Sequence, residues 1–173
     1  MPSTKISLRT LENYVFSNAA YTLVSQTALQ KIFNASATGA VRVEPATAYF
    51  FECSFSLSAM SAVAGTFGFG FLGTATITSL SYTALSDKAD ALGAPSTGQI
   101  IVGNVSTALQ LVSSSVITTG NTLIKGIIRV NAGGTLIPSV NVSVAAAAIV
   151  GVNSFFRIVP IGTNTQTNVG LWT

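Results

Sequence analysis

The chain contains no histidine, which removes the commonest general base, proton shuttle and metal ligand together. A Ser-His-Asp or Cys-His arrangement cannot be built from it, and zinc held by His/Cys clusters is excluded. Cys53 is the only cysteine, so no disulfide can close within the chain. Set inside YFFECSFSL, it reads as a buried thiol acting as a small hydrophobe. Charge is scarce as well: 8% of the residues are charged, against roughly 25% in an average soluble domain. The basic residues Lys5, Arg9, Lys31, Arg42, Lys88, Lys125, Arg129 and Arg157 are scattered and form no run. A nucleic-acid partner is therefore not expected, because such proteins gather their cations on one face. A membrane partner is not expected either. A spanning helix needs about 18 or more consecutive, mostly apolar residues, and the apolar stretches here alternate with polar ones.

What the sequence has instead is apolar content, 49% of 173 residues, with Ser, Thr, Asn and Gly as its main polar cover. One domain of this length can bury a real core. So few charges cannot coat its surface, and some apolar surface is expected to lie against a partner. That composition reads as an obligate oligomer or a subunit of a larger assembly, with a Ser/Thr-coated monomer as the alternative.

The dominant periodicity is two, the signature of strands with one buried face. Tyr49, Phe51, Cys53, Phe55 and Leu57 alternate with Phe50, Glu52, Ser54, Ser56 and Ser58. Phe50 is an aromatic on the wet side, which marks a contact. GTFGFGFLG sets Phe67, Phe69 and Phe71 on one face, with Gly68 and Gly70 between them. That stripe is either a core strand or a strand packed closely on a second sheet or subunit. Over residues 75–80 both faces look semi-buried. Ile128 and Val130 oppose Lys125 and Arg129, and after a turn at 131–134 Val140, Val142 and Val144 alternate with Ser139, Asn141 and Ser143. Further strands are expected at 99–105, 108–117 and 154–160, and a strand followed by a turn between 19 and 33. Short strands separated by Gly, Pro, Asn and Ser turns predict an all-β sandwich. Residues 1–18 are read as an extended N-terminal arm and 19–173 as the sandwich domain. The N-terminus lacks the apolar core of a secretory signal, so synthesis and folding in a cytoplasm are expected.

The carboxylates are Glu12, Glu44, Glu52, Asp87 and Asp90. Glu44 and Glu52 flank one predicted turn and could approach as a glycosidase-type pair, but each fits better as a solvated outward residue. Asp87 and Asp90 lack the repeated acidic spacing of a calcium loop. The Gly-Phe alternation contradicts a phosphate cradle, and no P-loop lysine follows. No catalytic residue, cofactor or metal site is expected, and the chain does not read as an enzyme.

With the strands placed, the blocks FNASATGAVRVEPATAYFFECSFSLS, GFLGTATITSLSY, IKGIIRVNAGGTLIPS, SFFRIVPIG and GLWT resemble, in order and spacing, a C-terminal jelly-roll module of tailed-bacteriophage virion proteins. The resemblance runs from about Lys31 to Thr173. It implies a homotrimeric jelly roll, similar in shape to the tumour-necrosis-factor-like trimers, serving as a fibre knob or as decoration on a capsid. It further implies a non-enzymatic capsid decoration (cement) protein that binds the major capsid protein and stabilises the head, located on the virion surface after synthesis in the host cytoplasm. Phe50, Phe67, Phe69, Phe71 and Trp172 are then expected at the subunit interface, and Lys5 and Arg9 on an arm touching the capsid. The alternative is a receptor-binding tail or fibre-tip protein that recognises a host glycan through loop 86–98, with Tyr82 and Trp172 as its exposed aromatics.

Overall fold

The computed structural model describes residues 13–34, 39–61, 66–86, 99–103, 109–112 and 118–165. Lys5, Arg9, Asp87, Asp90 and Trp172 lie outside these residues. Every described strand pairing is antiparallel, and the strands form two sheets. Numbered in chain order, the large sheet contains β1 (Asn13–Phe16), β2 (Tyr21–Thr22), β5 (Thr47–Ser58), β7 (Thr76–Ser86), β8 (Gln99–Gly103), β10 (Gly120–Ala132), β12 (Ile149–Val150) and β13 (Phe155–Thr163). The small sheet contains β3 (Gln30–Lys31), β4 (Val41–Val43), β6 (Phe67–Leu72), β9 (Leu109–Val112) and β11 (Gly134–Val142). Strand order is β1-β13-β5-β10-β7-β8 in the first, where short β12 joins β5 to β2, and β3-β11-β6-β9 in the second, where β4 also pairs β11. The architecture is that of a β-sandwich, and no helix occurs among the described residues.

β5 is the strand that the alternation predicts. Tyr49, Phe51, Cys53, Phe55 and Leu57 are buried, while the residues between them are partly exposed. Its neighbours β10 and β13 follow the same phase, with Ile124, Ile128, Val130, Phe156 and Ile158 fully buried. On β7 the phase changes, and this resolves the semi-buried reading of residues 75–80. Ser79 faces Arg129 and Ile77 faces Val130, so Thr78 is an extra residue bulged out of the ladder. Its hydroxyl donates to the Arg129 carbonyl at 3.3 Å. The bulge lets Ile77 on one side and Leu80 on the other both reach the core.

Between β10 and β11 the chain passes from one sheet to the other with only Gly133 outside a strand. A Cβ on Gly133 would sit 2.8 Å from both Pro45 Cδ and the Val43 carbonyl. The crossing is possible because that position carries no side chain. In the segment 19–33 the expected strand and turn appear as the short β2 and a run of bends at 25–28, and the second short strand β3 follows. Gln30 fastens the segment, its Oε1 accepting the Val24 N–H at 2.8 Å and its Nε2 donating to the Val24 carbonyl at 3.0 Å.

The core fills the space between the sheets, mainly with phenylalanine. Phe69 lies edge-on to Phe71 (5.1 Å between centroids) and to Tyr82 (5.9 Å), and stacks on Phe51 at 6.2 Å. Phe71 meets Phe51 edge-on at 5.3 Å, and Phe67 meets Phe55 at 5.9 Å. Such pairs contribute about 0.5–1.5 kcal/mol each beyond their buried area. Four sequence expectations change here. Phe67, Phe69 and Phe71 are 1%, 0% and 7% exposed in the isolated chain, so they belong to its own core and have no surface left for a subunit interface. Tyr82 is buried with them and cannot serve as an exposed glycan-stacking ring. The face of β11 expected to be wet is covered at Ser139, which is 0% exposed and whose hydroxyl donates to the Ile137 carbonyl at 2.8 Å, while Asn141 is partly exposed and Ser143 exposed as expected. Residues 13–16, placed in the arm by the sequence, pair with β13 as β1.

Two substitutions in this core have opposite expected signs. Phe69→Ala removes four ring contacts, to Phe51, Phe55, Phe71 and Tyr82, and should lower unfolding free energy by about 3–5 kcal/mol. The Tyr82 hydroxyl is buried without a hydrogen-bond partner, and an unsatisfied buried group costs about 1–3 kcal/mol. Tyr82→Phe should therefore hold or raise the denaturation midpoint, and a clear loss of stability in urea titration would show that the hydroxyl is satisfied after all.

Candidate interaction surface

Residues directly opposite each other in an antiparallel ladder share a face, so the registers across the large sheet lay out its outer surface row by row. One row runs Phe16, Phe155, Ser54, Leu123, Leu85 and Ile100. The next runs Arg157, Glu52, Lys125, Thr83 and Val102. A third runs Val159, Phe50, Ile127 and Ser81. Two largely apolar rows thus flank one ionic row. Ile100 and Val102 are 71% and 72% exposed, and Phe16, Leu85 and Ile127 are about half exposed. A half-solvated antiparallel sheet ordinarily shows polar side chains on this face. Here the polar positions are few. Phe50 sits on this surface, partly buried between Val159 and Ile127, in agreement with its reading as an outward aromatic.

The ionic row is self-contained around Glu52. Lys125 Nζ donates to Glu52 Oε1 at 2.8 Å, and Arg157 Nη1 donates to Oε2 at 3.2 Å. The hydrogen bond from Lys125 is the largest influence on the carboxyl and lowers its pKa. Desolvation opposes this, and the Lys125 charge and Arg157 lower it further, so the group lies below its ordinary 4.5. An ionised, doubly held carboxylate is a poor proton donor. Nor does Glu44 stand beside it. Glu44 is exposed ahead of β5, its N–H donating to Tyr49 Oη at 2.7 Å. Glu52 lies five residues into that strand, about 17 Å from its start at 3.3 Å per residue. The carboxylate pair that the turn might have made does not form. Cys53 is buried and its thiol pKa is raised by burial, so it is inert. Among the described residues no group of three His, Cys, Asp or Glu could hold a metal ion, and no helix is long and apolar enough to cross a membrane.

The Lys125–Glu52–Arg157 contact joins three strands, and nothing in the local sequence pairs these residues. The sequence reading left Glu52 as a solvated carboxylate because ion pairs between distant strands leave no periodic trace.

Because the folded pKa of Glu52 lies below its ordinary value, the cluster stabilises the fold above that value. The stabilisation is lost as pH falls through the folded pKa. Glu52→Gln should cost about 1 kcal/mol near neutral pH, at the upper end for a surface pair because two cations are left facing the gap. The difference from wild type should shrink between roughly pH 5 and pH 3. A gap independent of pH in denaturant titrations would show that the carboxylate is not the stabilising partner. No family model, curated protein or solved structure matches this chain.

Proposed function

We propose that the chain is a non-enzymatic structural protein of a tailed-phage virion, a capsid decoration (cement) protein that binds and stabilises the head shell as a homotrimer. The observation that carries this reading is the apolar outer face of the large sheet on a chain with 8% charged residues. Such a surface fits a subunit that works inside an assembly. The resemblance of the ordered sequence blocks described above is what supports the virion part of the reading.

We read β1-β13-β5-β10 facing β4/β3-β11-β6-β9 as a jelly roll. Its chain crosses between sheets from β5 to β6, from β9 to β10 and from β10 to β11, as the two-sheet winding of that fold requires. On this reading β7 and β8 are an insertion between β6 and β9 that widens the large sheet beyond β10. The major capsid protein is the partner of the trimer, with Lys5 and Arg9 on the N-terminal arm contacting its acidic groups. The protein is made in the host cytoplasm and resides on the capsid surface. Glu52, tied to two cations, supports the non-enzymatic reading better than a hydrolytic one.

Immunogold labelling of intact virions with an antibody to this chain tests the proposal. Gold over the head shell is the expected result. Gold at the tail tip would replace it with receptor binding, and absence of gold from virions would remove both.

A further inference from the structure

We infer that a second copy of this chain covers the outer face of the large sheet at its β7–β8 end, and that this face is where the subunits meet. The inference rests on the reading of the chain as a self-associating structural subunit, and it adds the surface that does the associating. Its starting point is where the exposed apolar side chains lie. Leu85 on β7 and Ile100 and Val102 on β8 form one contiguous group, because Leu85 faces Ile100 and Thr83 faces Val102 in the ladder. Among the described residues β8 is also the last strand of the sheet on that side.

Proteins that keep an edge strand in water blunt it with lysine, proline or a bulge. QIIVG, the sequence of β8, has no charge and no proline, and its pairing with β7 runs without a register shift. This end of the sheet is built to be covered.

The size of the face suits a subunit contact. β1, β13, β5, β10, β7 and β8 have 4, 9, 12, 13, 11 and 5 residues, and at about 3.3 Å per residue and 4.8 Å between strands they present roughly 850 Å². That area is comparable with the ~800 Å² that each partner gives to a standard protein interface. Chemistry selects the occupant. The Glu52 carboxylate is engaged by Lys125 and Arg157 within the chain, so covering it does not strand an anion. The flanking rows are mostly apolar, with Ser54 and Ser81 as their polar members, close to the composition of permanent homo-oligomer interfaces. Such a face needs cover from the moment of folding, and the partner present at equal concentration then is another copy.

Sedimentation equilibrium of the full chain tests this. Wild type should run at a multiple of 17.7 kDa, the Leu85→Glu/Ile100→Glu double variant at 17.7 kDa, and Val24→Glu, equally exposed but off this face, at the wild-type mass. A monomeric wild type, or a double variant that keeps the oligomeric mass, overturns the inference. If the glutamates prevent folding, thiol labelling gives the answer. Cys53 is buried, so Val102→Cys and Val24→Cys each present one accessible thiol. The Val102→Cys thiol should react at least about tenfold more slowly than the Val24→Cys thiol, since reactivity follows access, and equal rates overturn the proposal. These readouts are independent of virion labelling. A self-associating chain absent from virions would leave this inference standing and remove the cement reading, and a monomer found on heads would do the reverse.

Discussion

The packing of Phe51 against Phe69 and Phe71 across the gap between the sheets is the contact on which the rest of the structure depends. β5 supplies the first ring from the large sheet, β6 supplies the other two from the small sheet, and Phe156 of β13 closes on both Phe51 and Phe71 at 6.2 and 6.0 Å. Ring edges set against ring faces fix the spacing of the two sheets more tightly than aliphatic side chains would, because both distance and angle matter. The sheet backbone yields to these rings. A Cβ at Gly126 on β10 would stand 2.5 Å from Tyr82 Cβ and 2.9 Å from the Phe51 ring. Glycine at that position makes room for aromatic residues on both neighbouring strands.

A core filled in this way decides what remains for the outside. The phenylalanines that look most like interface residues in the sequence are consumed by the sandwich, and the exposed apolar side chains that remain on the large sheet lie on its opposite face. There Lys125, Glu52 and Arg157 engage one another in one row, with mostly apolar side chains in the rows to either side, and Arg129 stands exposed two rows away. Among the described residues of the small sheet, the middle of the outer side is closed: Ser139 is fully buried, and Gly68 and Gly70, across from Asn141 and Ser139, are buried too. Leu72 is the large hydrophobic residue exposed there.

Much of the architecture was legible from periodicity. Strands at 49–57, 67–71, 125–130 and 154–160 are found nearly where alternation places them, because a half-buried strand must repeat every two residues whatever it packs against. The bulge at Thr78 left only a trace, an apparent burial of both faces, since a one-residue slip in the ladder looks locally like two conflicting phases. Glu52 was recognised as outward, but its partners were not. Lys125 and Arg157 come from strands set beside β5 only by the order of the sheet.

The sequence by itself determined the strands, the inward and outward sides of β5, β10 and β13, and the exclusion of histidine- and disulfide-based chemistry. These follow from local alternation and from residue types that are present or missing. Only the tertiary structure decided that the Phe67, Phe69 and Phe71 stripe faces the chain's own second sheet, and that Tyr82 lies among those rings. It also decided that Leu85, Ile100, Val102 and Ile127 share one exposed face. A strand pattern says that one face is apolar, but which surface covers that face depends on strand order and register, and those are set by contacts between residues far apart in the chain.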